Sequence, residues 1–312
     1  EHRAKEDTGL FFFRGNPGRK FAVCTAGGGF AYVGAMHDSF PHALELSKMG
    51  YNAFALIYRP GAQTACEDLA RAIAFIFGHA EELQVDTADY SLWGGSAGGR
   101  MAAWVGSYGT AAFGEEALPR PAAVIMQYTG YSEYSENDPP TYACVGDQDG
   151  IASWRTMEER LNRLQEFGTD TEFHVYPGLG HGFGLGTGTA AEGWLQDAVS
   201  FWEKHMENPP ENASPDSGRE QGLQAVEEAM AAGSRDASEM EEGGEDLRQG
   251  TSENTIGTPE DFPAAYDYGS GRMEDWSRAV RFIRKNADIY GIAPEDIAVM
   301  GLNPGRRIPD AL

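Results

Sequence analysis

The segment Gly94-Gly95-Ser96-Ala97-Gly98 places a serine between glycines two residues away on each side. That spacing suits a nucleophile on a sharp strand-to-helix turn, where a side chain at either glycine would collide across the turn. A serine hydroxyl attacks well only when a base takes its proton, and the base needs an acid to orient it. In a triad built on such a turn, the acid and then the histidine follow the serine along the chain. His181, in the glycine-rich loop Gly178-Leu179-Gly180-His181-Gly182-Phe183, is the expected base. Its competitor His174 falls inside a strand pattern. His37, His42, His79 and His205 precede the serine or lie on helices and read as ordinary surface residues. For the acid, Gly146-Asp147-Gln148-Asp149-Gly150 offers two carboxylates. Asp149 is the expected one, because it precedes a helix and the apolar Ile151 anchors its loop. Asp147 stands as the alternative.

Acyl transfer also needs backbone N–H groups aimed at the negative charge that develops on the substrate. The Ala97 N–H, at the start of the helix after the turn, supplies one. The other belongs in the loop after the first core strand, where Cys24-Thr25-Ala26-Gly27-Gly28-Gly29-Phe30 stands. No Gly-Lys-Ser/Thr follows these glycines, and their spacing differs from a dinucleotide fingerprint, so a phosphate loop is the weaker reading.

The elements that must hold these residues alternate short apolar runs with helical patterns, the signature of a mostly parallel sheet. Strands are expected at Phe21–Thr25, Ala53–Tyr58, Tyr90–Trp93, Ala123–Gln127, Tyr142–Val145 and Glu172–Tyr176, with an edge strand at Phe11–Phe13. Apolar stripes at helical spacing run through Phe40–Leu46, Leu69–Phe77, Trp154–Phe167 and Trp194–Trp202.

Taken in order, Gly27-Gly28-Gly29-Phe30, Gly50-Tyr51-Asn52-Ala53-Phe54 with Tyr58-Arg59, Trp93-Gly94-Gly95-Ser96-Ala97-Gly98-Gly99, Asp149 and His181 resemble the α/β-hydrolase esterases. The similarity is to the hormone-sensitive-lipase-like and acetyl-xylan-esterase-like branches and covers about residues 8–206. It implies an α/β fold, a mostly parallel sheet with helices on both faces, compact and without a separate cap domain. It further implies hydrolysis of short-acyl carboxylic esters, acetylated carbohydrates among them, with Gly28, Gly29 and Ala97 as oxyanion donors and no metal or cofactor. Ala26 stands where lipase-like members carry a histidine, which is closer to the carbohydrate-esterase branch. Phe30, Tyr128 and Tyr131, in loops above the strand ends, are the candidate substrate contacts. Stacking on a sugar and covering a hydrophobic edge are both open to these rings. An exopeptidase of the same fold and a non-catalytic binding or scaffold protein are the rival readings.

Composition sets the remaining bounds. The 312 residues carry a net charge of −24, which argues against nucleic acid as a partner. Cys24, Cys66 and Cys144 lie in or beside apolar runs, so buried reduced thiols and a cytoplasmic location are expected. No apolar run nears the roughly 18 residues of a membrane span, and no basic, apolar leader opens the chain. Residues 1–206 therefore read as the catalytic domain. Residues 207–260, with 14 acidic against 3 basic side chains, read as an acidic disordered linker.

The third segment, 261–312, reads as a truncated, degenerate repeat. At a constant offset of 207, residues 273–307 align on 66–100 with eleven of 35 positions identical. Asn303 falls on Ser96, so that copy lacks the nucleophile. One helix and one strand bury little by themselves, and the copy is expected to be loosely ordered unless it finds a sheet edge.

Overall fold

The structure is a computed structural model that describes residues 8–206 and the strand 297–301. Chain order runs β1 (Gly9–Phe13), β2 (Lys20–Thr25), α1 (Ala35–Asp38), α2 (Phe40–Lys48), β3 (Asn52–Ile57), α3 (Ala62–Gly78) and α4 (Ala80–Leu83). It continues through β4 (Asp86–Gly95), α5 (Ala97–Tyr108), β5 (Ala123–Gln127), β6 (Thr141–Gly146), α6 (Trp154–Glu166), β7 (Thr171–Tyr176), α7 (Trp194–Lys204) and β8 (Ile297–Gly301). The strands form one sheet in the order β7-β6-β5-β4-β2-β3-β1-β8. Strands β2 to β7 pair in parallel, and β1 runs antiparallel to both β3 and β8.

This order creates the crevice that a site requires. After β2 the chain moves outward to β3, then returns to lay β4 on the other side of β2. The loops leaving the carboxyl ends of β2 and β4 therefore diverge, the point at which open α/β sheets bind their ligands. Those loops hold Gly27–Phe30 and Ser96.

Both faces of the sheet are covered, which is why its strands are continuous apolar runs rather than alternating ones. In β1, Phe11 and Phe13 pack on Phe40 of α2, with ring centroids 4.8 and 5.7 Å apart. Phe12, pointing the other way, stacks on Phe54 at 4.5 Å. On α3, Leu69, Ala72, Ile73 and Ile76 are fully buried, as their helical spacing requires.

Two features depart from the sequence reading. Strand β4 begins at Asp86 rather than Tyr90, because Lys20 pairs with Asp86 and Asp89 at 3.3 and 2.9 Å across a register shift. Just past α6, Phe167 does not extend the apolar stripe: it is 52% exposed and lies against Tyr134. The same helix instead buries Arg160, which forms an ion pair with the buried Asp138.

The strand Ile297–Gly301 lies against the edge of β1, with Gly9 opposite Gly301 and Phe13 opposite Ile297. It coincides with the counterpart of Tyr90–Gly94 at the offset of 207. The expected linker at 207–260 and the rest of 261–312 lie outside the described residues.

Candidate active site

Ser96 sits between β4 and α5 with φ 51° and ψ −121°, a conformation that costs a non-glycine residue energy and survives only where its surroundings impose it. Those surroundings are close. A Cβ on Gly94 would come within 2.2 Å of the Gly98 carbonyl carbon, and one on Gly98 within 2.2 Å of Thr25 O. The Thr25 hydroxyl lies 2.9 Å from Trp93 O and 3.0 Å from Gly98 O, tying β2 to the turn.

His181 and Asp149 meet this serine. His181 Nε2 is 3.0 Å from Ser96 Oγ, and its Nδ1 is 2.8 Å from Asp149 Oδ2. The Asp149 side chain is fully buried, and its other oxygen accepts the N–H groups of Ile151 and Ala152 at 2.8 and 2.7 Å. Asp147 faces elsewhere: its carboxylate accepts the Gly178 N–H at 2.7 Å and so shapes the loop that carries His181. The side chains after β6, β4 and β7 converge where the strand order reverses.

The glycine loop lies against the same serine, since a Cβ on Gly27 would stand 2.9 Å from Ser96 Cβ. Gly28 and Gly29 have φ of 134° and 61°, and a Cβ on Gly28 would strike Tyr32 O at 2.1 Å. Among the described residues the amides of Gly28, Gly29 and Ala97 donate to no protein acceptor, whereas that of Gly27 donates to Asp38. The three expected donors are thus free to face a ligand.

Comparison with known proteins agrees with this architecture. A family model described as BD-FAE matches residues 15–166. Among solved structures, an acetyl ester-xyloside bifunctional hydrolase from Caldicellulosiruptor lactoaceticus superposes with a TM-score of 0.57 and 22% identity, covering 62% of this chain and 87% of its own. A sugar hydrolase from Lactococcus lactis gives 0.56 and 20%, covering 64% and 95%. Thermogutta terrifontis esterase 2, phosphorylated by paraoxon, gives 0.56 and 21%, covering 63% and 88%. The chain has the α/β-hydrolase fold. No curated protein matches its sequence.

The aromatic residues around the serine divide between rim and interior. Phe30, partly buried, stacks on Trp104 at 5.9 Å and leans on Tyr58. Tyr128 and Tyr131 are only 1% and 4% exposed. Tyr131 is held by Trp104, by Glu133 and by Arg160 over its ring, so it packs an interior edge. Tyr128 lies beneath the site, its ring 5.0 Å from that of His181 and its hydroxyl donating to Asp38 at 2.6 Å. Exposed Tyr32 stands beside Gly28 at the rim.

The histidines other than His181 need one correction. His42 and His205 are buried rather than on the surface: His42 packs on Trp194, and His205 packs on Phe201 and bonds with Asp170. His37 does remain exposed, but its Nε2 lies 2.5 Å from the carbonyl of Gly182, next to His181. Among the described residues no group of three His, Cys, Asp or Glu side chains could hold a metal ion, and no helix is long and apolar enough to cross a membrane. All three cysteines are buried and unpaired.

Burial pushes the His42 imidazole down to about 4. Among the described residues its Nε2 has no hydrogen-bond partner, and its ring rests edge-on against Trp194. The unfolded chain takes up a proton near pH 6.5 that the folded chain refuses until pH 4. Stability is therefore lost as pH falls through this window, by roughly 3 kcal/mol in all. Urea unfolding of the wild type and His42→Gln at pH 7.5 and 4.5 checks this. The wild type should lose about 2 kcal/mol more than the variant across that interval; parallel losses would refute it.

Proposed function

We propose that this α/β-hydrolase is a serine esterase that cleaves short-acyl carboxylic esters, acetylated carbohydrates among them. The observation that carries the reading is the imidazole of His181 standing between Ser96 Oγ and the buried Asp149 carboxylate. His181 takes the Ser96 proton as the oxygen attacks the ester carbonyl. Asp149, acceptor of the Nδ1 proton, holds the ring in the useful tautomer and favours the imidazolium that forms. The free amides of Gly28, Gly29 and Ala97 receive the oxyanion. The tetrahedral species collapses by breaking the bond to the alcohol oxygen, which leaves with the proton from His181. Water, deprotonated by the same imidazole, then attacks the acyl-serine and releases the acid.

The choice of esters is supported by the neighbours, which are named as an acetyl ester-xyloside hydrolase, a sugar hydrolase and an esterase. Phe30 and Tyr32 beside the glycine loop offer aromatic faces on which a sugar ring could rest.

The test is a panel of p-nitrophenyl acetate, butyrate and octanoate, acetylated xylosides and aminoacyl p-nitroanilides, run beside paraoxon. Acetate and butyrate should turn over fastest. Paraoxon should release one p-nitrophenolate per chain and leave a diethylphosphoryl group on the peptide containing Ser96. Cleavage of the anilides alone would replace the esterase by an exopeptidase. No turnover and no phosphorylation would end the catalytic reading.

A further inference from the structure

One carboxylate beside the serine has no part in the proposed chemistry. Asp38, the last residue of α1, is only 8% exposed, yet among the described residues no Lys, Arg or His nitrogen lies within ion-pairing distance of it. Its Oδ2 accepts the Gly27 N–H at 2.9 Å, and its Oδ1 accepts the Tyr128 hydroxyl at 2.6 Å. The group is wedged in place: Oδ2 stands 2.8 Å from where a Cβ on Gly27 would be and 3.0 Å from one on Gly95. It touches the glycine loop on one side and the turn before Ser96 on the other.

Asp38 is thus nearly buried beside the place where the proposed oxyanion forms. Its geometry accounts for what it does there. Gly27 is held at both ends, its N–H by Asp38 and its carbonyl by the N–H of Gly34 at 2.9 Å. The peptide that contains the Gly27 carbonyl also contains the Gly28 N–H, and the two point in opposite directions across a trans bond. Fixing Gly27 therefore aims the Gly28 amide, in a loop where a glycine backbone would otherwise turn freely. The Asp38 N–H in turn bonds to Gly34 O at 3.0 Å, so the loop is closed on itself. Through Tyr128 the same carboxylate reaches the ring that supports His181.

We infer that Asp38 is a positioning residue of the oxyanion hole, acting through Gly27 on the Gly28 amide and through Tyr128 on the floor beneath His181. The inference rests on the esterase reading, since it assigns Gly28 to the oxyanion. Asp38→Ala removes both acceptors, and Asp38→Leu removes them while filling the space. Asp38→Asn keeps one oxygen for the Gly27 N–H, and its NH₂ can donate to the Tyr128 oxygen once that hydroxyl turns.

The full chain is assayed in each form. Prolonged paraoxon treatment counts competent sites by released p-nitrophenolate, and the rates of phosphorylation and of p-nitrophenyl acetate turnover are then expressed per site. Ala and Leu should lower both rates about 10²-fold, the scale for a misdirected oxyanion donor, with KM changed less than threefold. Asn should recover at least tenfold of that loss. A purely structural role would lower the number of sites and leave the rate per site alone. Ala or Leu within threefold of wild type per site overturns the inference while the esterase reading stands; Leu decides if Ala does not fold. Asn as slow as Leu overturns it too, since charge rather than hydrogen bonding would then be responsible. A wild type that neither turns over nor reacts with paraoxon removes both.

Discussion

Ser96→Ala should lower kcat for p-nitrophenyl acetate by about 10⁴- to 10⁶-fold, the range seen when the nucleophile of a cooperating triad is removed. The residual rate comes from the free amides and from substrate binding alone. In the proposed triad Ser96, His181 and Asp149 act as one unit, so the losses should not add. His181→Ala in the Ser96→Ala background should change little further. Asp149→Asn should cost about 10⁴-fold, because an amide in place of the acceptor turns the imidazole to the wrong tautomer. Asp147→Asn should stay within a few-fold, since its carboxylate holds only the Gly178 amide. Steady-state kinetics on the four variants checks the set. Equal losses for the two aspartates, or a multiplicative Ser96/His181 pair, would break the assignment of roles.

Gly98→Ala is expected to be the most damaging small substitution to the fold around the site. A single methyl there would stand 2.2 Å from Thr25 O and 2.6 Å from Ala26 O, and both are backbone atoms that cannot rotate away. Helix α5 must retreat from β2, or the glycine loop must leave the serine. Overpacking of this kind costs about 3 kcal/mol, and either movement separates Ser96 from the Gly28 and Gly29 amides, with an expected loss of at least 10²-fold in kcat. Gly78→Ala is the control: nothing lies within 4 Å of its added carbon, so stability should change by less than about 0.5 kcal/mol or rise slightly. Urea midpoints and ester turnover read both effects. A Gly98→Ala protein as stable and as active as the Gly78→Ala protein would show that the turn is looser than its packing indicates.

How much of this was legible in the residues varied by kind. The strands from Phe21 to Tyr176 and the helical stripes were readable because local pattern reports which face is buried. Their ends were less so. The start of β4 depends on Lys20, a neighbour only after folding, and the outward turn of Phe167 depends on where α6 meets Tyr134. Tyr128 and Tyr131 looked like loop aromatics open to a ligand, yet a tyrosine after a strand can equally turn inward once its hydroxyl finds a partner, as Tyr128 does at Asp38.

Residue types and spacing alone are enough to read the glycine-flanked turn at Ser96, Asp149 and His181 following it in the loops after later strands, and the triple-glycine loop ahead of it. Each is a local arrangement, written in residue types that few other conformations need. Folding alone sets Asp149 rather than Asp147 against His181, buries His42, and brings Asp38 between Gly27 and Tyr128. Those outcomes hinge on side-chain directions at the ends of strands that become neighbours by crossing over. The partners lie 11 to 90 residues apart along the chain, and no local pattern records which of them will face one another.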